Sequence, residues 1–171
     1  MPTAARAPRR WRLFYTAPRA ERRCERRLLG DGVEAFVPCQ TTVRQWSDRR
    51  KRVVEPLFPN YLFARVDERD RLATLQTPGV VRAVAFDGRP AEVSAEEIAW
   101  LRLLEATEDR VEPVPAPMPP RDTPVEIEDG PLRGLVGEVE AHRGGYRLLI
   151  RIPSIRQAVR VQVPAVWVRA C

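Results

Sequence analysis

The side chains in these 171 residues that could make and break bonds are not gathered by their spacing. His142 is the only histidine and stands beside Arg143-Gly144-Gly145, read as a surface turn. Gly144-Gly145 lacks the spacing of a phosphate-binding loop. Cys24, Cys39 and Cys171 are odd in number and form no Cys-x-x-Cys pair, which argues against both a disulfide framework and a zinc site. Glu96-Glu97 lies at a helix start, where carboxylates complement the helix dipole, so it is not read as an acid/base couple. No nucleophile, base and orienting group emerge from sequence, and neither catalysis nor a cofactor is expected.

The chemistry that remains is that of binding. Leu57-Phe58-Pro59-Asn60-Tyr61-Leu62-Phe63 sets three rings in seven residues of a chain that is only 7% aromatic. Just before it comes Arg49-Arg50-Lys51-Arg52, and the helix candidate upstream carries Arg19, Arg22, Arg23, Arg26 and Arg27. Residues 1–66 hold fifteen basic and six acidic side chains, net +9, while residues 67–109 are net −5 and residues 110–171 net +2. Basicity concentrated in one segment suits a polyanion or an acidic protein surface, with a solvated face as the alternative. Rings beside cations suit either stacking on RNA bases or docking on a protein. Lys51 is the only lysine; the arginine bias fits phosphate recognition and a GC-rich genome alike.

The elements that must position these groups follow from periodicity. Met1–Arg10 is expected to be a disordered leader, and Trp11–Tyr15 a first strand. Arg19–Leu29 reads as a helix facing the core through Ala20, Cys24 and Leu28, with Cys24 as a small buried hydrophobe. Val33–Pro38 reads as a short strand. Thr41–Trp46 and Val53–Glu55 flank Ser47–Arg52 as a hairpin with a basic tip. Pro59-Asn60 forms a turn, because asparagine tolerates left-handed φ, and Tyr61–Val66 alternates as a strand. Alternation puts Tyr61 and Phe63 on one face, where they should share one fate. A short helix with Leu72 and Leu75 on one face, a strand over Val80–Phe86 and a helix capped by Ser94-x-x-Glu97 complete an α+β domain at 11–109.

Prolines 113, 115, 117, 119, 120 and 124 crowd residues 110–124, a composition that predicts an extended linker contributing nothing to a core. Beyond it, Val125–Ile127, Leu135–Ala141, Arg147–Ile152, Ala158–Val163 and Val166–Val168 read as short strands, enough for a small closed or nearly closed five-stranded barrel at 125–171. Their valine alternation, with repeated Gly and Pro, favours strands over a helical hairpin. No apolar stretch is long enough to span a membrane, and cysteine usage predicts a cytoplasmic protein.

Asp129-Gly130-Pro131-Leu132 with Gly134 and Gly137 is similar to a KOW motif. Strand Trp11–Tyr15, the arginine-rich helix, Val37-Pro38, the basic hairpin, Phe58-Pro59-x-Tyr61 and Thr77-Pro78-Gly79-Val80 resemble the amino-terminal (NGN) domain of NusG proteins. Asn60, where housekeeping members usually have glycine, makes residues 57–63 look more like RfaH and the specialised UpxY and LoaP groups. The resemblance implies a monomeric transcription elongation and antitermination factor whose first domain docks on the clamp helices of the largest RNA polymerase subunit. The docking patch it implies is Tyr15, Phe58, Tyr61, Phe63 and Phe86, each with core burial as its alternative. Arg19, Arg22, Arg23, Arg49, Arg50, Lys51 and Arg52 would follow upstream or non-template DNA. Ser154, Ile155 and Arg156, in the loop Pro153–Gln157, would meet Rho or a small-subunit ribosomal protein. Leu72-Ala73-Thr74-Leu75 replaces the histidine-threonine-rich segment of RfaH, which puts the contact across the polymerase cleft in doubt. A housekeeping NusG factor and a ribosome- or RNA-associated KOW protein are the competing readings.

Overall fold

The computed structural model describes residues 7–107, 111–115, 124–142 and 146–171. The chain divides into two compact units, residues 1–37 with 58–95 and residues 38–57 with 96–171.

The first unit is built on β1 (Arg10–Thr16), whose adjacent apolar residues Leu13 and Phe14 are both fully buried. Burial on successive positions means that both faces of the strand are covered. α1 (Glu21–Gly30) follows, then β2 (Glu34–Phe36). The ribbon β3 (Cys39–Gln45) and β4 (Arg50–Pro56) belongs to the second unit. β5 (Tyr61–Val66) has the bounds expected from its alternation and pairs antiparallel with β1, opposing Tyr61 to Tyr15 and Phe63 to Leu13. α2 (Glu68–Leu75), β6 (Val80–Ala83), β7 (Ala85–Phe86), β8 (Arg89–Pro90) and β9 (Glu92–Val93) complete the unit. The sheet order is β2-β5-β1-β6, with β9 also on β1, while β7 and β8 form their own ribbon. The strand expected over Val80–Phe86 is thus broken at Val84, which is buried and donates its N–H to the Leu13 carbonyl at 2.8 Å.

Two helices differ instructively from their sequence patterns. α1 buries Ala20, Cys24 and Leu28 as their spacing predicts, and burial pushes the Cys24 thiol above its ordinary pKa. It also buries Glu21 and Glu25, four residues apart. Buried carboxylates need donors, and Glu25 takes the Val37 N–H at 2.8 Å and pairs with Arg22 at 2.9 Å. α2 is capped by Asp67, which accepts from the Asp70 N–H at 2.9 Å. Its buried residue is Thr74, whose hydroxyl donates to the Asp70 carbonyl, whereas Leu72, expected on the core face, is 52% exposed. A helix of eight residues has too few apolar positions for periodicity to fix its rotation.

In the second unit, α3 (Ala95–Ala106) buries Ile98, Leu101 and Leu104, the stripe expected behind Ser94. β10 (Glu112–Pro115), β11 (Pro124–Ile127), β12 (Val136–His142), β13 (Tyr146–Ile152), β14 (Gln157–Val163) and β15 (Val168–Ala170) form one antiparallel sheet in the order β10-β14-β13-β12-β11-β15. Six strands replace the expected five, and among the described residues no ladder joins β10 to β15 to close a barrel. The extra strand comes from the proline-rich stretch, where Val111 is buried and Glu112–Pro115 pairs with β14. Proline lacks an N–H, yet an edge strand needs donors on one side only, so alternate prolines at 113 and 115 are compatible with pairing. Residues 116–123 of that stretch, and Gly144-Gly145, lie outside the described residues. Val166 and Trp167, expected in a strand, form a short 3-10 turn before β15. No described helix is long and apolar enough to cross a membrane.

Candidate docking surface and basic ribbon

The aromatic stretch is held by α1. Asn60 adopts φ 69°, a left-handed conformation that an asparagine accepts at modest cost. Its N–H donates to Glu21 Oε1 at 2.7 Å and its side-chain amide donates to the Thr16 carbonyl at 3.2 Å. The Thr16 N–H in turn donates to the Asn60 carbonyl at 2.8 Å, so the turn is tied to the end of β1 from both sides. Sequence reasoning missed Glu21, because a glutamate in a first helical turn looks like an ordinary dipole partner.

From this turn the rings diverge. Tyr15 and Tyr61, opposite each other on β1 and β5, are half-buried and meet edge to face, with centroids 6.1 Å apart and planes at 76°. Arg82 on β6 is opposite Tyr15 on its other side and sets its guanidinium 5.2 Å from the ring centroid. Tyr61, Tyr15 and Arg82 therefore make one row across three strands. Arg82 was not among the sequence candidates, since only the β1–β6 register reveals it.

Phe58 and Phe63 correct the expected patch. Phe58 is 3% exposed and Phe63 wholly buried, so neither offers a docking surface. Phe63 lies in the middle of the sheet and packs on Phe36 of β2, with centroids 6.3 Å apart, whereas Tyr61 stands at the strand end. Sharing a face does not make the two residues share a fate, because the covering material ends between them. Phe86 is half-buried on the β7–β8 ribbon, outside the tyrosine row.

Among the cations, Arg19, Arg22 and Arg23 are exposed around the start of α1, Arg19 at φ 61° and Arg22 paired to Glu25. The hairpin is longer and its tip shorter than expected. Only Ser47-Asp48 separate Trp46 from Arg49, and the Trp46 N–H donates to the Arg49 carbonyl at 2.8 Å. Arg50, Lys51 and Arg52 lie on β4 rather than in the turn, opposite Gln45, Arg44 and Val43. Arg44 is paired to Glu55, and the Cys39 N–H at the ribbon's base donates to Glu105 at 3.0 Å.

The glycines of the KOW-like motif are architectural. Gly130 has φ 78°, and a Cβ there would come within 2.3 Å of the Trp167 ring; Gly134 has φ 89°. Gly137 leaves room for the Leu149 carbonyl, which a Cβ would approach to 3.2 Å. The loop expected to offer an apolar tip does the reverse. Pro153–Ile155 is a 3-10 turn in which Ile155 is 1% exposed, so its side chain belongs to the core. The Ser154 N–H donates to Glu97 of α3 at 3.1 Å, while Pro153 and Arg156, the latter at φ 52°, are exposed. Among the described residues no His, Cys, Asp and Glu side chains gather as metal ligands would.

Residues 9–102 match the family model described as NusG, "Transcription termination factor nusG". Among solved structures, "Domain interaction in Thermotoga maritima NusG" superposes with a TM-score of 0.56 at 20% identity, covering 95% of this chain and 97% of that one. A chain from "MjSpt4:Spt5 complex conformation B" aligns at 15% identity over 94% of this chain and 95% of its own, with a TM-score of 0.33. With a family match over more than half of its length, on a mixed sheet-and-helix fold shared with the Thermotoga protein, the chain is a member of the NusG family of transcription factors.

Proposed function

We propose that this protein is an elongation and antitermination factor that binds the clamp helices of the largest RNA polymerase subunit, suppresses pausing and termination, and acts on particular operons as RfaH-, UpxY- and LoaP-type paralogues do. In this reading residues 11–109 are the polymerase-binding NGN domain, 110–124 connect it to a KOW domain, and 125–171 are that domain. The observation that carries the reading is the Tyr61–Tyr15–Arg82 row, half-exposed rings fixed in place by a turn that Glu21 holds. Rigid aromatics beside a cation are the side chains from which interface hot spots are made, because they bury large area at little entropic cost. Phe86, half-buried on the separate β7–β8 ribbon, is a second apolar contact in this reading. Arg19, Arg22, Arg23 and the β3–β4 ribbon contact upstream or non-template DNA through phosphates, which adds affinity without reading sequence. A Rho or ribosomal-protein partner on the KOW domain would meet Arg156 rather than Ile155.

The test is affinity for core RNA polymerase. Tyr61→Ala should weaken binding by about 2 kcal/mol, roughly thirtyfold, with an unchanged circular dichroism spectrum. A folded variant that binds as tightly as the parent removes the tyrosine row from the interface.

A further inference from the structure

The two ends of the second unit's sheet are finished in different ways. β15 is three residues long and carries Arg169, paired with Glu128 at 2.8 Å. Shortness and charge are common protections for a strand edge. β10 ends the other side with prolines. Its register sets Glu112 opposite Arg160, Pro113 opposite Val159, Val114 opposite Ala158 and Pro115 opposite Gln157. In an antiparallel ladder the backbone groups of alternate residues point to the same neighbour. Proline has no N–H to give, so Glu112 and Val114 exchange bonds with Arg160 and Ala158, and residues 113 and 115 face away from β14. At those two positions the outer edge of β10 offers carbonyls without donors, and a further strand finds no full ladder there. Beneath this cover lies an edge of another kind. β14 (Gln157–Val163) is seven residues long, contains no proline, pairs along its whole length with β13 on its other side, and buries Ala158, Val159, Val161 and Val163. The cover is tied down at its start, where Val111 is 1% exposed and Glu112 meets Arg160 at 3.3 Å; Arg160 also holds Glu140 of β12 at 2.8 Å.

We propose that residues 111–115 are an edge guard, part of the second unit's sheet rather than a spacer before it, which keeps β14 from pairing with β14 of a second copy of this chain. The sequence of β14 says why the excluded partner is a second copy. In the register that sets Val161 opposite its own counterpart, Val159 meets Val163 and Arg160 meets Gln162, so branched aliphatics face one another and no like charges collide. The same register bonds residues 160 and 162, whose backbone groups lie on the side of β14 that β10 covers. A valine-rich edge without proline is a template on which copies associate. The guard goes beyond the polymerase reading and does not depend on what residues 11–109 bind.

The experiment follows amide hydrogen exchange by NMR in the full chain, together with its sedimentation over a wide range of concentration. Val114→Pro removes the donor that faces Ala158, and Glu112→Lys keeps both donors but sets a cation against Arg160. In dilute Val114→Pro the amides of Ala158 and Arg160 should exchange at least about tenfold faster than in the parent, while those of Val159 and Val161, which face β13, keep their protection. Glu112→Lys should move the same two amides in the same direction by a smaller factor. On concentration the parent should stay monomeric, and Val114→Pro should form dimers in which the Arg160 and Gln162 amides are protected. Equal exchange of Ala158 and Arg160 in the parent and Val114→Pro overturns the pairing that the guard requires. Loss of protection at Val159 and Val161 as well makes β10 a condition of the fold and overturns a guarding role. A Val114→Pro chain that stays monomeric, dimers that leave the Arg160 and Gln162 amides unprotected, or a parent that dimerises as readily, each overturns the second copy as what the guard excludes.

Discussion

Leu57, Phe58, Leu62 and Phe63 are each at most 3% exposed, whereas Val43, Trp46 and Val54, only a few residues upstream, are between 58% and 62% exposed. Both stretches look alike in sequence, rings and branched aliphatics beside arginine, and they are used oppositely. Residues 57–63 enter a sheet with neighbours on both sides, and their turn is anchored by Glu21 and Thr16. Residues 39–56 form a ribbon on their own ladder. The lesson is that an aromatic beside positive charge becomes a surface feature only where the sheet runs out of cover. The covered stretch should carry stability, and the uncovered one should carry contact.

The largest effect should therefore come from Phe63→Ala, which empties a fully buried site against Phe36 and should cost about 3–5 kcal/mol in denaturant unfolding. A loss below about 1 kcal/mol would mean that the aromatic strand is not the packed partner in the comparison. Next comes Glu21→Ala. Glu21 is 4% exposed and takes the Asn60 N–H at 2.7 Å, so its removal orphans a donor next to Tyr61. The expected cost is about 1.5–3 kcal/mol, accompanied by weaker polymerase binding as the tyrosine row loses its support. Stability equal to the parent would show that Asn60 holds its turn unaided. Asn60→Ala follows, at about 1–2 kcal/mol for an alanine forced to φ 69°. Asn60→Gly should cost less, since glycine adopts that φ freely and only the bond to Thr16 is lost.

How much of this was legible in sequence depended on whether the signal was local. The bounds of β5, the buried stripe Ile98–Leu101–Leu104 and the inward face Ala20–Cys24–Leu28 follow from periodicity within one element, and the structure has them. Arg82 beside Tyr15 depends on which residues two distant strands oppose, and no pattern inside β6 encodes that. The burial of Phe63 and exposure of Tyr61 likewise depend on where a neighbouring strand stops. Ile155 sits in a Pro-Ser-Ile turn that reads as an exposed loop, yet the 3-10 geometry turns its side chain inward. Composition misled most at Glu112–Pro115, where prolines that spoil a central strand are harmless on an edge.

The smallest stability effect belongs to the other side of the comparison. Trp46→Ala and Val54→Thr remove or alter side chains that are 58% and 60% exposed, and each should shift the unfolding free energy by less than about 0.5 kcal/mol. A branched threonine keeps the strand propensity of valine, so Val54→Thr changes the chemistry of the exposed face and little else. The near-zero value is informative because large apolar side chains at a packed site do not behave this way. If Trp46→Ala instead destabilises the protein by 2 kcal/mol or more, the indole belongs to a core and cannot be a contact residue held ready for a partner. A silent unfolding transition combined with a loss of DNA binding would separate the two roles, assigning rigidity to residues 57–63 and recognition to the ribbon.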